Sequence, residues 1–198
     1  MFNSANRFTF LRFLLTPVFI FLILGQTHEF KVYSYIVFFI AMLTDWFDGY
    51  LARKYEETTK LGAFLDPLAD KVLVSSALFI FVHLQYIELW MVMIIVVRDF
   101  LITGLRSYAI FSDKPVVTSS IAKWKTFIQL LIIQVMLTDL VFPEVFFWIQ
   151  NGTLKYLINQ AMLLTVVISV YTAAKYLFEN KQHLKGVLAY FFKTNSIR

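Results

Sequence analysis

Six apolar runs, separated by short polar clusters, divide this chain from end to end. They fall at about 8–25, 32–54, 62–84, 88–111, 121–141 and 154–178, each near the ~20 residues that a helix needs to cross the hydrocarbon of a bilayer. Charge gathers toward one end of several runs: Asp45, Asp48 and Arg53 in the second, Asp66, Asp70 and Lys71 in the third, Arg98, Asp99 and Arg106 in the fourth. Lys123 and Lys125 open the fifth. The pattern predicts an all-α, polytopic membrane protein with six transmembrane helices. The first run follows Arg7 and resembles a signal peptide in outline. It lacks a small-residue cleavage site, and Gly25-Gln26-Thr27 reads as a helix end, so it is expected to stay as a span.

Composition agrees with that reading. Of 198 residues, 59% are hydrophobic and 16% charged, with a mean hydropathy of +0.69, whereas soluble domains average about 45–50% apolar and about 25% charged. The length suits one domain over 1–198, its last stretch (179–198) being a basic segment lying on the membrane surface. The chain has no cysteine, which excludes disulfides and thiolate metal sites. His28, His83 and His183 are scattered and form no ligand set.

The net charge of +5 changes meaning once the spans are in place. With both termini in the cytoplasm, every Lys and Arg except Lys31 and Lys155 lies on the cytoplasmic side. That asymmetry is the positive-inside pattern, so the basic balance reflects topology rather than nucleic-acid binding. The same cations would attract phosphorylated solutes to that face.

The costliest feature lies between Asp45 and Asp70: Asp45-x-x-Asp48-Gly49-x-x-Ala52-Arg53, then eight residues, then Gly62-x3-Asp66-x3-Asp70. At 100° per helical residue, Asp45, Asp48, Gly49, Ala52 and Arg53 share one side of the second span. Gly62, Asp66 and Asp70 form a stripe on the third. A short connection predicts antiparallel neighbours whose acidic faces meet near the cytoplasmic surface. Four carboxylates in one pocket repel one another, and two divalent cations remove the conflict. Oxygen donors without His or Cys favour Mg²⁺ or Mn²⁺ over zinc. Gly49, Ala52 and Gly62 leave space around the acids, although small residues also serve close helix packing. Arg53 has the fork to hold a phosphate, although it and Lys54 are also ordinary interfacial anchors. A divalent-cation transporter would place such acids near mid-membrane. Here they sit at one end, which favours an enzyme working at one leaflet.

This pattern resembles the signature of the CDP-alcohol phosphotransferases at all eight positions. Asn6-x-x-Thr9-x-x-Arg12 with Pro17, the run Phe64 to Lys71, Arg98-Asp99…Gly104-Leu105-Arg106, and Lys123-x-Lys125-Thr126 resemble further segments of the family. Ala5, Asp99 and Ala122 stand where proline, glutamate and glycine are usual.

The resemblance implies a dimeric, six-helix enzyme of the bacterial inner membrane, its site facing the cytoplasm. It would move a phosphatidyl group from CDP-diacylglycerol to an alcohol and release CMP. Asp45, Asp48 and Asp66 would hold the metals, with Asp70 as the base or a further metal ligand. Asn6, Thr9, Gly49, Ala52, Arg53 and Gly62 would line the CDP pocket. The closest segments point to the sn-1 hydroxyl of glycerol 3-phosphate as acceptor, with inositol phosphate, serine or phosphatidylglycerol as alternatives. A dianionic acceptor needs further cations, for which Arg98, Arg106, Lys123 and Lys125 are the candidates, with Arg12 beside them; each is also a candidate topology anchor. Asp70 is expected to be free of full salt pairing, as a base should be.

Overall fold

The computed structural model describes residues 4–55, 60–111, 120–149 and 152–180, with side chains described for 9–44, 67–107, 124–149 and 152–180. The described residues form six long helices: α1 Ser4–Ile23, α2 His28–Tyr55, α3 Lys60–His83, α4 Leu89–Phe111, α5 Ser120–Val141 and α6 Thr153–Glu179. A 3₁₀ turn, Pro143–Phe146, follows α5, and no strand occurs among the described residues. The ends match the apolar runs to within a few residues, the largest differences being the starts of α1 and α2, at Ser4 and His28, each four residues before the run. The turn read at Gly25-Gln26-Thr27 separates α1 from α2. The surface tail lies outside the described residues.

The helices pack as a ring. α1 lies against α2 and α3, α3 against α4, α4 against α6, α6 against α5, and α5 against α2. A further contact between α3 and α5 crosses the ring. Over the described residues, therefore, α1 stands between the two helices that carry the aspartates. Its buried stripe explains how: Thr9, Arg12, Thr16, Phe19 and Ile23 recur at alternating steps of three and four and all face inward. The stripe is polar in its first half and apolar in its second. Phe19 meets Phe38 of α2 with ring centroids 5.2 Å apart.

The centre of the ring is filled by Leu78 and Phe81 of α3, Ile95 of α4, Ile133, Met136 and Leu137 of α5, and Met162 of α6, none with measurable exposure. The outer surface is also apolar. Phe21, Leu101, Val167 and Phe178 are each more than half exposed, an arrangement suited to a lipid surround and unfavourable in water. Trp124–Val141 and Thr153–Glu179 are long and apolar enough to cross a membrane. α4 is as long, but Arg98, Asp99 and Arg106 fall within it. Inside the helices, hydroxyls return their protons to the backbone: Thr16, Thr138, Thr165 and Thr172 each donate to the carbonyl four residues earlier at 2.8 Å.

At the end away from the aspartates, aromatic residues collect. Phe147 and Trp148 follow the 3₁₀ turn and are largely exposed, as residues of an interfacial belt are. Tyr86, between α3 and α4, donates its hydroxyl to Asp139 Oδ2 at 2.8 Å and so ties that loop to α5. Burial and the neighbouring Asp139 push the Tyr86 phenol up, so it remains a donor through the physiological range. Gly152, at φ 90°, makes the left-handed turn into α6 that a side chain would strain.

Two truncations test this inside–outside assignment. Phe81→Ala should cost about 3–5 kcal/mol through a core cavity. Phe21→Ala, on the lipid face, should leave the unfolding midpoint in detergent nearly unchanged.

Candidate active site

Asp45, Asp48, Gly49, Ala52 and Arg53 lie in the second half of α2, and Gly62, Asp66 and Asp70 in the first half of α3. The helical spacing assumed for both stripes is therefore present. Asn6 lies near the start of α1 and Lys123 near the start of α5. The side chains of Asn6, Asp45, Asp48, Arg53, Asp66 and Lys123, and the surroundings of Gly49, Ala52 and Gly62, lie outside those described. So does the meeting of the two acidic faces.

Of the four aspartates, Asp70 has a described side chain. Its carboxylate is ion-paired with the Arg12 guanidinium of α1, which differs from the expectation that Asp70 is free of full salt pairing. The reason is the α1 stripe, which carries Arg12 into the ring at 1% exposure, where a guanidinium needs an anionic partner. Asp70 keeps 35% of its side chain exposed, enough for a ligand to reach it from the other side. Thr9, one turn before Arg12, is buried on the same stripe.

The second group centres on Asp99, 3% exposed on α4. Lys125 of α5 contacts both carboxylate oxygens, Nζ lying 2.5 Å from Oδ1 and 2.6 Å from Oδ2. Arg98 donates from Nη1 to Oδ1 at 3.0 Å, and Lys71 of α3 places Nζ 3.5 Å from Oδ2. Arg98 also donates from Nη2 to Thr172 Oγ1 of α6 at 2.7 Å. One carboxylate thus gathers cations from three helices, and Arg98 adds a tie to the fourth. Arg98 and Lys125, grouped in sequence as phosphate-seeking cations, here have a shared counter-charge. Arg106 lies eight residues beyond Arg98, about 12 Å along the axis, and is exposed.

Two participants were not singled out by sequence. Lys71 and Asp99 were noted among the charges at one end of the third and fourth runs and within the resembling segments, but neither was assigned a role in the site. The available signal was that a carboxylate within an apolar span requires a partner, but the partner's identity depends on which helices pack together.

Chemically, the donor set on α2 and α3 is four carboxylates, suited to hard divalent cations. Around α3, α4 and α5 there is an excess of positive charge suited to an anion. The sequence profile of the CDP-alcohol phosphatidyltransferases matches residues 2–171.

The chain belongs to the CDP-alcohol phosphatidyltransferase family.

This is a family of membrane transferases that generally use divalent metal ions. Among individual relatives, the chain is similar to the CDP-diacylglycerol–glycerol-3-phosphate 3-phosphatidyltransferase of Bacillus subtilis strain 168, 38% identical over 149 residues, covering 69% of this chain and 77% of that protein. The protein of the same name from Wigglesworthia glossinidia brevipalpis is 34% identical over 184 residues, 90% of this chain and 98% of the relative. That of Haemophilus influenzae is 31% identical over 181 residues, 89% and 92% of the two chains.

Two basic residues of the Arg98–Lys125 stretch, Lys125 and Arg106, behave differently under substitution. Lys125→Met removes the closest partner of a buried carboxylate and should destabilise by up to about 3–5 kcal/mol, reduced by what Arg98 and Lys71 recover. Arg106→Gln, at an exposed site, should change the unfolding midpoint in detergent little.

Proposed function

We propose that this family member transfers the phosphatidyl group of CDP-diacylglycerol to the sn-1 hydroxyl of glycerol 3-phosphate, giving phosphatidylglycerophosphate and CMP. The observation that carries this reading is likeness along nearly the whole chain to relatives bearing that name, including 34% identity over 184 residues. Six transmembrane helices within one domain, both termini in the cytoplasm and a site open to that side are supported by the distribution of Lys and Arg along the sequence. A homodimer in the bacterial inner membrane completes the reading.

Asp45, Asp48, Asp66 and Asp70 fit a divalent cation pair by donor chemistry, Mg²⁺ or Mn²⁺ being the suited ions. When bound, such ions supply charge neutralisation at the pyrophosphate and at departing CMP. Asn6, Thr9, Gly49, Ala52, Arg53 and Gly62 form the CDP pocket in this reading, with Arg53 on phosphate. The acceptor oxygen bonds to the lipid-linked phosphorus, the phosphorus–oxygen bond to CMP breaks, and the hydroxyl proton passes to the Asp70 carboxylate. Arg12 orients that carboxylate. Arg98, Arg106, Lys123 and Lys125 make up the cationic region for the acceptor phosphate.

Purified protein given CDP-diacylglycerol, Mg²⁺ or Mn²⁺ and a panel of acceptors should form phosphatidylglycerophosphate from glycerol 3-phosphate, and chelation with EDTA should stop CMP release. A product lipid built on inositol phosphate, serine or phosphatidylglycerol instead would replace the acceptor assignment. Asp70→Asn should lower CMP release by about 10²–10⁴-fold, the range of general-base catalysis, while CDP-diacylglycerol still binds; normal turnover would remove Asp70 as base. Because the chain has no cysteine, single cysteines report topology cleanly. Those at Lys31 and Lys155 should react with an impermeant maleimide from outside the cell, and one at Lys114 should not.

A further inference from the structure

We infer that Asp99 is the positioning residue of the acceptor-phosphate site and that Lys71, not assigned to it so far, is one of its phosphate ligands. This rests on the acceptor assignment above and divides the work among cations that the sequence leaves equivalent.

The charge balance comes first. Three cations, Lys71, Arg98 and Lys125, contact the single carboxylate of Asp99, so among the described side chains of this group two positive charges remain in excess. Concentrated charge of one sign in a poorly solvated site is unfavourable without a counter-ion. A phosphate monoester, close to a dianion at neutral pH, supplies that compensation. Arg98 Nε is buried and has no acceptor, which leaves a donor for such a ligand.

Exposure then separates the roles. The Lys125 side chain is fully buried at 0% and contacts both oxygens of Asp99, so its part in the cationic region is to hold Asp99 and not to touch the phosphate. It anchors Asp99. The side chains of Lys71 and Arg98 keep 17% and 13% exposure, and Asp99 restrains both. Free lysine and arginine tips lose rotamer freedom when they clamp a ligand; here part of that ordering is already complete.

Position relative to the chemistry is the third element. Lys71 directly follows Asp70 in α3. Asp70 meets α1 through Arg12, while Lys71 meets α4 through Asp99. Base and phosphate cradle are therefore one residue apart in a rigid helix, a layout matched by an acceptor with hydroxyl and phosphate at opposite ends of a three-carbon chain.

The test measures steady-state kinetics of full-length protein in detergent for Asp99→Asn, Asp99→Glu and Lys71→Gln. Asp99→Asn should raise the KM for glycerol 3-phosphate about tenfold or more, the scale of losing charge-assisted contacts, with the KM for CDP-diacylglycerol within about twofold of wild type. Asp99→Glu should restore most of the acceptor affinity. Lys71→Gln, on a partly exposed side chain, should raise the same KM without loss of folding, and it decides the matter if Asp99→Asn does not fold. An unchanged acceptor KM in Lys71→Gln overturns the assignment, as does equal impairment toward both substrates in folded Asp99→Asn, the signature of a merely structural tie. A second measurement uses inorganic phosphate, which should raise the thermal midpoint of wild type but not of Lys71→Gln. If wild type makes no lipid from glycerol 3-phosphate, the acceptor reading fails, and the phosphate shift still judges the cradle: its absence in wild type overturns it.

Discussion

A charge in a low-dielectric bundle must meet its counter-charge, and in this chain that requirement joins helices that hydrophobic packing alone would leave free to slide. Asp99 cannot be buried at 3% exposure unless Lys125, Arg98 and Lys71 approach it, and their approach sets α3, α4 and α5 in register. Arg98 extends the restraint to α6 through Thr172. Apolar side chains in lipid give little directional preference, because hydrocarbon solvates them nearly as well as a neighbouring helix does. Ionic contacts do have direction. The apolar core around Phe81 and Ile133 supplies density, while the Asp99 group selects one arrangement of it.

Arg12 and Asp70 apply the same rule on the other side of α3. The pair fixes α1 against α3, and Phe19 against Phe38 fixes α1 to α2. Since α1 stands between the two aspartate-bearing helices over the described residues, its buried stripe becomes part of the site's architecture. An Arg12 substitution thus acts at two levels, on the carboxylate it orients and on the helix it docks.

How far the sequence discloses this depends on the range of each interaction. Helix positions are legible because each apolar run is a local signal, bounded by residues such as Gly25 and Gly152 that the backbone needs there. The grouping of Asp45 with Asp48, and of Asp66 with Asp70, is legible because helical periodicity relates residues three and four apart. The Arg12–Asp70 pair spans 58 residues and the Asp99–Lys125 pair 26, and no periodicity relates those. Their recovery needs the ring order of the helices, which depends on packing. The expectation that Asp70 is free of full salt pairing failed for that reason: the helix supplying Arg12 is distant in sequence and adjacent in space. Arg98 and Lys125 were identifiable as cations of interest, but not as partners of one carboxylate.

The resulting geometry separates two demands that such an enzyme faces. In the proposed reading the donor is held by α1, α2 and the start of α3, and the acceptor phosphate by α3, α4 and α5. α3 belongs to both halves, and the boundary falls between Asp70 and Lys71. A change of acceptor can then arise from replacing cations around residue 99 while the aspartate signature stays intact. The reverse does not hold. Altering α3 near residue 70 disturbs the base, its Arg12 partner and the Lys71 contact together, because a rigid helix transmits any shift of one to the others. In the proposed reading, this asymmetry is the physical counterpart of a signature that reports the reaction and leaves the alcohol to residues 98–125.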